Sequence, residues 1–176
     1  TDGSDPWNYL EPFHCDLFLS AERHDVEQAL RIGRAAALVL APPTADRTQP
    51  IDAVRIAFDG DAVLFDAESE HVYQTQGLEA FQAREAALAD VPMNPGPFEP
   101  FLMGMKRIQD RYPEERSPIR LSLITARGAP AHKRVINTLR QWGVRIDETF
   151  FLGGFEKAGI LDVLQPHIYF DDQLAH

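Results

Sequence analysis

The sequence predicts an α/β fold, a doubly wound parallel sheet with a helical insertion after one of its strands. Short β-branched apolar runs alternate with segments of helical period along most of the chain. With 176 residues, 44% hydrophobic and 25% charged, the composition is that of one globular domain with a sizeable core. A long helix-rich stretch, from about 66 to 118, breaks the alternation immediately after a strand.

The elements follow in order. "CDLFLS" (15–20) and "AAALVL" (35–40) read as strands, and "RHDVEQALRIGR" between them carries apolar residues at helical spacing. "APPTADRTQP" (41–50), with its three prolines, reads as a linker or exposed loop. "VRIAF" (54–58) is the next strand. The insertion holds the helical stretches "GLEAFQAREAALAD" and "PFLMGMKRIQDRY", joined by "VPMNPGPFEP", whose prolines forbid one continuous helix. Its Phe81, Phe98, Phe101 and Met103 read as the core of the insertion in preference to base-stacking residues. "IRLSLIT" (119–125) is a strand, "APAHKRVINTLRQWG" a helix closed by Gly143, and "TFFLG" (149–153) and "HIYF" (167–170) are the last strands. The expected organisation is therefore a segment 1–50 packing on the sheet, a core built from 51–65 and 119–176, and a helical cap insertion at 66–118. "YLEPFHCDLFLS" weakly echoes "VLQPHIYFDD", which makes 1–50 a candidate degenerate repeat.

Bulk properties exclude several functions. A net charge of -10 argues against extended DNA or RNA as a ligand, because phosphate backbones are held by clustered Lys and Arg. No apolar run approaches the length of a membrane helix, so no membrane partner is expected. One cysteine, Cys15, rules out an internal disulfide and a cysteine-rich zinc site, and it fits a reducing cytoplasm. Nothing in the composition fixes the oligomeric state, and homo-oligomerisation stays open.

Chemistry concentrates at four strand ends. "VRIAF" runs into Asp59 and Asp61, and alternation brings the second carboxylate back to the side of the first. Adjacent carboxylates repel unless a cation or a shared proton compensates them, and a hard divalent ion such as Mg²⁺ is the natural partner. An isolated D-x-D is no more than a solvated turn; its placement gives it weight. "LSLIT" ends in Thr125, followed by Ala126 and Arg127, whose backbone is expected to turn into an anion-favouring helix N-terminus. Lys157 follows "FFLGGFE" and can neutralise charge between a nucleophile and a phosphate. "HIYF" ends in Asp171 and Asp172, acids able to complete a metal shell. His14 and His167 read as core or loop hydrogen-bonding residues, and His24 and His132 as exposed.

In this order the motifs "FDGDAV", "LITAR", Lys157 in "GGFEKAGIL" and "YFDDQ" resemble those of the haloacid dehalogenase (HAD) superfamily of phosphatases. More narrowly, "RIAFDGDAVLFDAESE", "PIRLSLITAR", "LRQWGVRIDETFFLGG" and "LQPHIYFDDQ" are similar to the cytosolic 5'-nucleotidase type 1 family. The resemblance implies a HAD-like (Rossmannoid) sheet with a cap after the first motif strand. It also implies a Mg²⁺-dependent, cytoplasmic hydrolase that converts small nucleoside 5'-monophosphates to nucleoside and phosphate. Asp59 would then be the nucleophile and Asp61 the acid/base, with its backbone carbonyl on the metal. Thr125 and Lys157 would hold the phosphoryl oxygens, Lys157 also serving catalysis, with Ala126 and Arg127 as further substrate-binding candidates. Asp59 and either Asp171 or Asp172 would ligate the metal directly, the other of the pair through water.

Val63 stands where many superfamily members carry threonine, a tolerated variant. The chain opens on "TDGSDPWNYL" without methionine and family members are longer at both ends, so a fragment and a processed chain are both open readings. Two rivals stand beside the nucleotidase: a phosphatase of the same mechanism acting on another phosphomonoester, and a non-catalytic nucleotide-binding module.

Overall fold

The computed structural model describes residues 3–39 and 52–172, so the proline-rich segment 41–50 lies outside the described residues. Its centre is a sheet of four parallel strands. In chain order the strands are β1 (Phe18–Ser20), β2 (Ala36–Leu38), β3 (Val54–Phe58), β4 (Ile119–Thr125), β5 (Glu148–Phe151) and β6 (Ile168–Phe170). The main sheet runs β5-β4-β3-β6, while β1 and β2 pair with each other, also in parallel. The helices are α1 (Arg23–Arg31), α2 (Glu68–Ala87), α3 (Glu99–Gln109), α4 (His132–Trp142) and α5 (Ala158–Leu164). The α/β class with parallel strands is thus as the alternation of the sequence required.

Register explains why the strand ends converge. Phe58 stands opposite Leu123 on one side and Phe170 on the other, so Asp59 and Asp171 follow neighbouring strands at one level. The Asp59 N–H donates to the Phe170 carbonyl at 2.8 Å, carrying the pairing one residue past the strand. Strand β4 is buried along nearly its whole length, as a central strand covered on both faces must be. The core joins the rings of Phe58, Phe98, Phe101 and Phe170 to Val135 and Leu139 of α4. Phe98 and Phe101 therefore pack on the sheet phenylalanines rather than only within their own segment.

Helix α2 is not straight. Gly77 has φ 83° and ψ 178°, a conformation essentially reserved for glycine, and it breaks the helix. Ser69 and Glu85 are 16 positions apart and would stand about 24 Å apart in a continuous helix. Instead the Ser69 hydroxyl donates to Glu85 Oε1 at 2.9 Å, so α2 doubles back on itself as a helical hairpin. The sequence reading placed a helix start at Gly77 but missed the preceding half, Glu68 to Gln76, because its outward face is polar and shows no apolar stripe.

The linking stretch 94–98 runs along the loop that follows β3. Gly96 N–H donates to Leu64 O at 2.8 Å, and Phe98 N–H to Val63 O at 3.1 Å. A Cβ at Gly96 would lie 2.4 Å from the carbonyl oxygens of both Val63 and Phe65, so only glycine fits. The proline-rich joint forbids helix, as expected, and its extended backbone clamps the acidic loop.

Candidate active site

Asp59 lies one residue beyond β3 and is nearly buried, with its own side chain accepting from the Gly60 N–H at 2.6 Å. The chain then turns sharply. Asp61 keeps extended angles and Ala62 takes φ 60°, a left-handed conformation costly for a side-chain-bearing residue, which redirects the backbone toward Leu64. Gly60 sits against β4: a Cβ there would meet the Thr125 hydroxyl at 3.2 Å.

Lys157 Nζ donates to Asp59 Oδ2 at 2.7 Å and to Asp171 Oδ2 at 2.9 Å, bridging the ends of β3 and β6. Asp171 also accepts from the Tyr169 hydroxyl. Three carboxylates, Asp59, Asp171 and Asp172, each offer an oxygen within 4.8 Å of the others. Lys157 thus stands against three closely spaced acids, and burial together with these neighbouring charges sets their titrations. Burial raises the Asp59 carboxyl to about 6, against the hydrogen bond and charge of Lys157 and the Gly60 N–H, and the charge of Asp171 adds to the rise. Burial and then Asp171 raise Asp172. Burial tends to lower Lys157, but the hydrogen bonds and charges of Asp59 and Asp171 outweigh it and hold the ammonium firmly protonated. Hard oxygen donors with uncompensated charge suit a hard divalent cation, so the cluster is able to hold a metal ion.

Thr125 closes β4, fully buried, and its hydroxyl accepts from the Arg127 N–H at 3.2 Å. Helix α4 begins only at His132, so Ala126 and Arg127 are not its N-terminus. The loop through Pro130, which disfavours helix in the residue before it, delays the start and corrects that expectation. The Ala126 carbonyl instead accepts from the Gly154 N–H at 3.0 Å, tying the β4 loop to the loop that leads to Lys157. Arg127 is buried and its guanidinium is engaged: Nε and Nη2 donate to the two oxygens of Asp61 at 2.8 and 2.6 Å, and Nη1 to Glu85 Oε2 at 2.6 Å.

Two cavities meet at this place. One, of about 220 Å³, is lined by Asp59, Asp61, Thr125, Lys157 and Asp172. The other, of about 360 Å³, is lined by Tyr73, Leu78 and Phe81 of the α2 hairpin with Arg127. Asp61 and Glu70 border both. The structure thus brings together every candidate residue of the sequence reading. Sequence reasoning missed Glu85, Arg134, Tyr73 and Tyr169; only Tyr169, two residues before Asp171 on an alternating strand, carried a positional signal. His167 accepts from the Arg55 N–H at 3.0 Å, the loop role expected of it, and His14 and His24 are exposed. His132 is instead half-buried with its ring against Phe151, because that face of α4 turns toward β5.

A parallel sheet with paired acids at the end of a central strand, further acids at the end of its neighbour, and a lysine reaching them from the start of a helix beyond β5, is the architecture of HAD-type phosphatases. The family model for 5'-nucleotidases matches residues 1–176, and the chain belongs to that family. Cytosolic 5'-nucleotidase 1B of Homo sapiens is 38% identical over 181 residues, covering 100% of this chain and 30% of that protein. The chain therefore spans about a third of the length of this curated relative. No solved structure matches the chain. Among the described residues, no helix is long and apolar enough to cross a membrane.

Proposed function

We propose that the protein is a Mg²⁺-dependent 5'-nucleotidase that hydrolyses nucleoside 5'-monophosphates through an aspartyl-phosphate on Asp59. The observation that carries this reading is the Lys157 bridge between Asp59 and Asp171, set beside Thr125 and Asp61 in one cavity. A phosphoryl group in the smaller cavity would face the Asp59 carboxylate, with Thr125, the Ala126 backbone and Lys157 around its oxygens. The adjoining cavity of about 360 Å³, walled by Tyr73 and Phe81, is of a size and apolarity suited to a nucleoside.

An oxygen of Asp59 attacks phosphorus while the bond from phosphorus to the nucleoside oxygen breaks. Asp61 gives its proton to that leaving oxygen. In the second displacement Asp61 takes a proton from water, the water oxygen bonds to phosphorus, and the Asp59–phosphorus bond breaks, which restores both acids. Asp59, Asp171 or Asp172 and the Asp61 carbonyl would hold Mg²⁺, which when bound neutralises charge on the phosphoryl oxygens and lowers the Asp59 carboxyl. Lys157 keeps the nucleophile and the phosphate from repelling one another. The cap role of 66–118, exclusion of water over the nucleoside, is supported by the place of the α2 hairpin on the larger cavity. The relative's printed name supports a cytoplasmic location.

The test is phosphate release from a panel of ribo- and deoxyribonucleoside monophosphates, with Mg²⁺ and after chelation. Turnover on at least one nucleotide, lost on chelation and restored by Mg²⁺, is expected. Release from sugar or other phosphomonoesters but from no nucleotide would transfer the assignment to the broader phosphatase class. Nucleotide binding without release would transfer it to a binding module.

A further inference from the structure

Glu85 is a charged side chain with no exposure, set in the second half of the α2 hairpin. It gathers donors from both parts of the molecule. Oε1 accepts from Ser69 and from Arg134 Nη1, each at 2.9 Å, and from Arg84 Nη1 at 3.3 Å. Oε2 accepts from Arg127 Nη1 at 2.6 Å. Arg134 belongs to α4 and Arg127 to the loop after β4, so the insertion supplies the acid and the core supplies two of the cations. Desolvating such a set is costly, and an apolar contact of similar volume would hold two elements together as well. The direction of the remaining guanidinium bonds suggests what the charged set achieves.

With Nη1 fixed on Glu85, the Nε and Nη2 edge of Arg127 faces Asp61 and donates once to each of its oxygens. This fork fixes the plane of the carboxylate, which a single charge cannot do. It leaves each oxygen a second lone pair, and the side chain retains 17% exposure toward the two cavities. Asp61 stands at their junction. A phosphate in one cavity joined to an apolar group in the other would place its bridging oxygen beside that carboxylate.

We propose that Arg127 is a positioning residue for the proton-transfer step and that Glu85, carried by the insertion, sets Arg127. The inference rests on the reading of Asp61 as the acid/base of the proposed function. It makes the seating of the insertion a condition for leaving-group protonation, in addition to any role in binding. Arg127 then acts through Asp61 rather than on the phosphate itself.

Leaving groups separate this role from a structural one. A nucleoside leaves as an alkoxide and needs the proton; p-nitrophenolate leaves without one. Arg127→Lys keeps the charge and loses the fork, and Glu85→Gln keeps the shape and loses the charge. Each variant is compared with the wild type for steady-state nucleotide hydrolysis and for the pre-steady-state burst of p-nitrophenolate from p-nitrophenyl phosphate. The expected result is a fall in nucleotide kcat of about tenfold or more, a part of the 10²–10⁴ that acid–base catalysis contributes, with the burst rate within about twofold of wild type. The Arg127→Lys, Glu85→Gln double variant should fall no further than the worse single one.

Equal loss on both substrates, or unchanged nucleotide turnover, would overturn the inference while leaving the nucleotidase reading intact. A wild type that bursts on the aryl phosphate but hydrolyses no nucleotide would instead defeat the proposed function. Should Glu85→Gln fail to fold, Arg127→Lys alone decides between these outcomes.

Discussion

Asp59 and Asp61 are two positions apart yet have different surroundings, and their proposed roles follow from the difference. Asp59 is nearly buried, bridged by Lys157 and raised toward neutrality by burial; Asp61 faces two cavities and is held by Arg127. Asp59→Asn is expected to abolish turnover by several orders of magnitude while circular dichroism stays native, because the amide preserves the shape and cannot attack phosphorus. Lys157→Met removes the ammonium that bridges Asp59 and Asp171 beside Asp172. Its melting temperature should fall in chelator and recover on adding Mg²⁺, with a larger metal-dependent rise than the wild type shows. An equal rise in both proteins would place the metal away from this cluster.

Among the elements, the α2 hairpin shows where sequence reasoning reached and where it stopped. Strands β3 and β4 were legible to the residue, since both are runs of apolar and β-branched side chains bounded by turn signals. Helix α4 and its Gly143 cap were legible from period and punctuation, and Gly143 takes the left-handed φ of 65°. The fold-back at Gly77 was not, because the polar stretch before it shows no apolar stripe and Gly77 reads as a helix start; the backbone of Gly77 and the Ser69–Glu85 and Glu68–Arg84 contacts reveal it. Helix α5 was missed for a different reason: seven residues including Gly159 carry too little period to stand out. Gly77→Ala forces a side chain into φ 83° and is expected to cost about 1–3 kcal/mol in chemical denaturation. It should also raise KM for the nucleotide more than it lowers kcat, by displacing Tyr73 and Phe81 from the larger cavity.

Across the whole molecule, the parts that meet at the site were legible to unequal degrees. The acids, Thr125 and Lys157 announce themselves because they punctuate strands in a fixed order. Glu85 lies in "AREAALAD", which reads as a solvated helix face, and its burial depends on where α2 folds back. Burial pushes the Glu85 carboxyl up, but the charge and hydrogen bond of Arg127, with Ser69 and Arg134, outweigh it and hold it below the ordinary 4.5. A carboxyl lowered in the folded state contributes stability that is present above its unfolded value and is lost as pH falls through the folded one. Stability should therefore decline below about pH 4.5, and Glu85→Gln should flatten that part of the curve in denaturant titrations across pH. An unaltered acid slope in the variant would mean that other carboxylates carry it.

In the proposed reaction Asp59 carries the phosphoryl group, and the covalent species can be trapped. Asp61→Asn should still form the aspartyl-phosphate from p-nitrophenyl phosphate but hydrolyse it slowly, because no base activates the water. Acid quenching after the burst, followed by peptide mass spectrometry, is predicted to find the phosphoryl group on Asp59. Release of p-nitrophenolate with the label on another residue, or with no covalent label at all, would contradict the account.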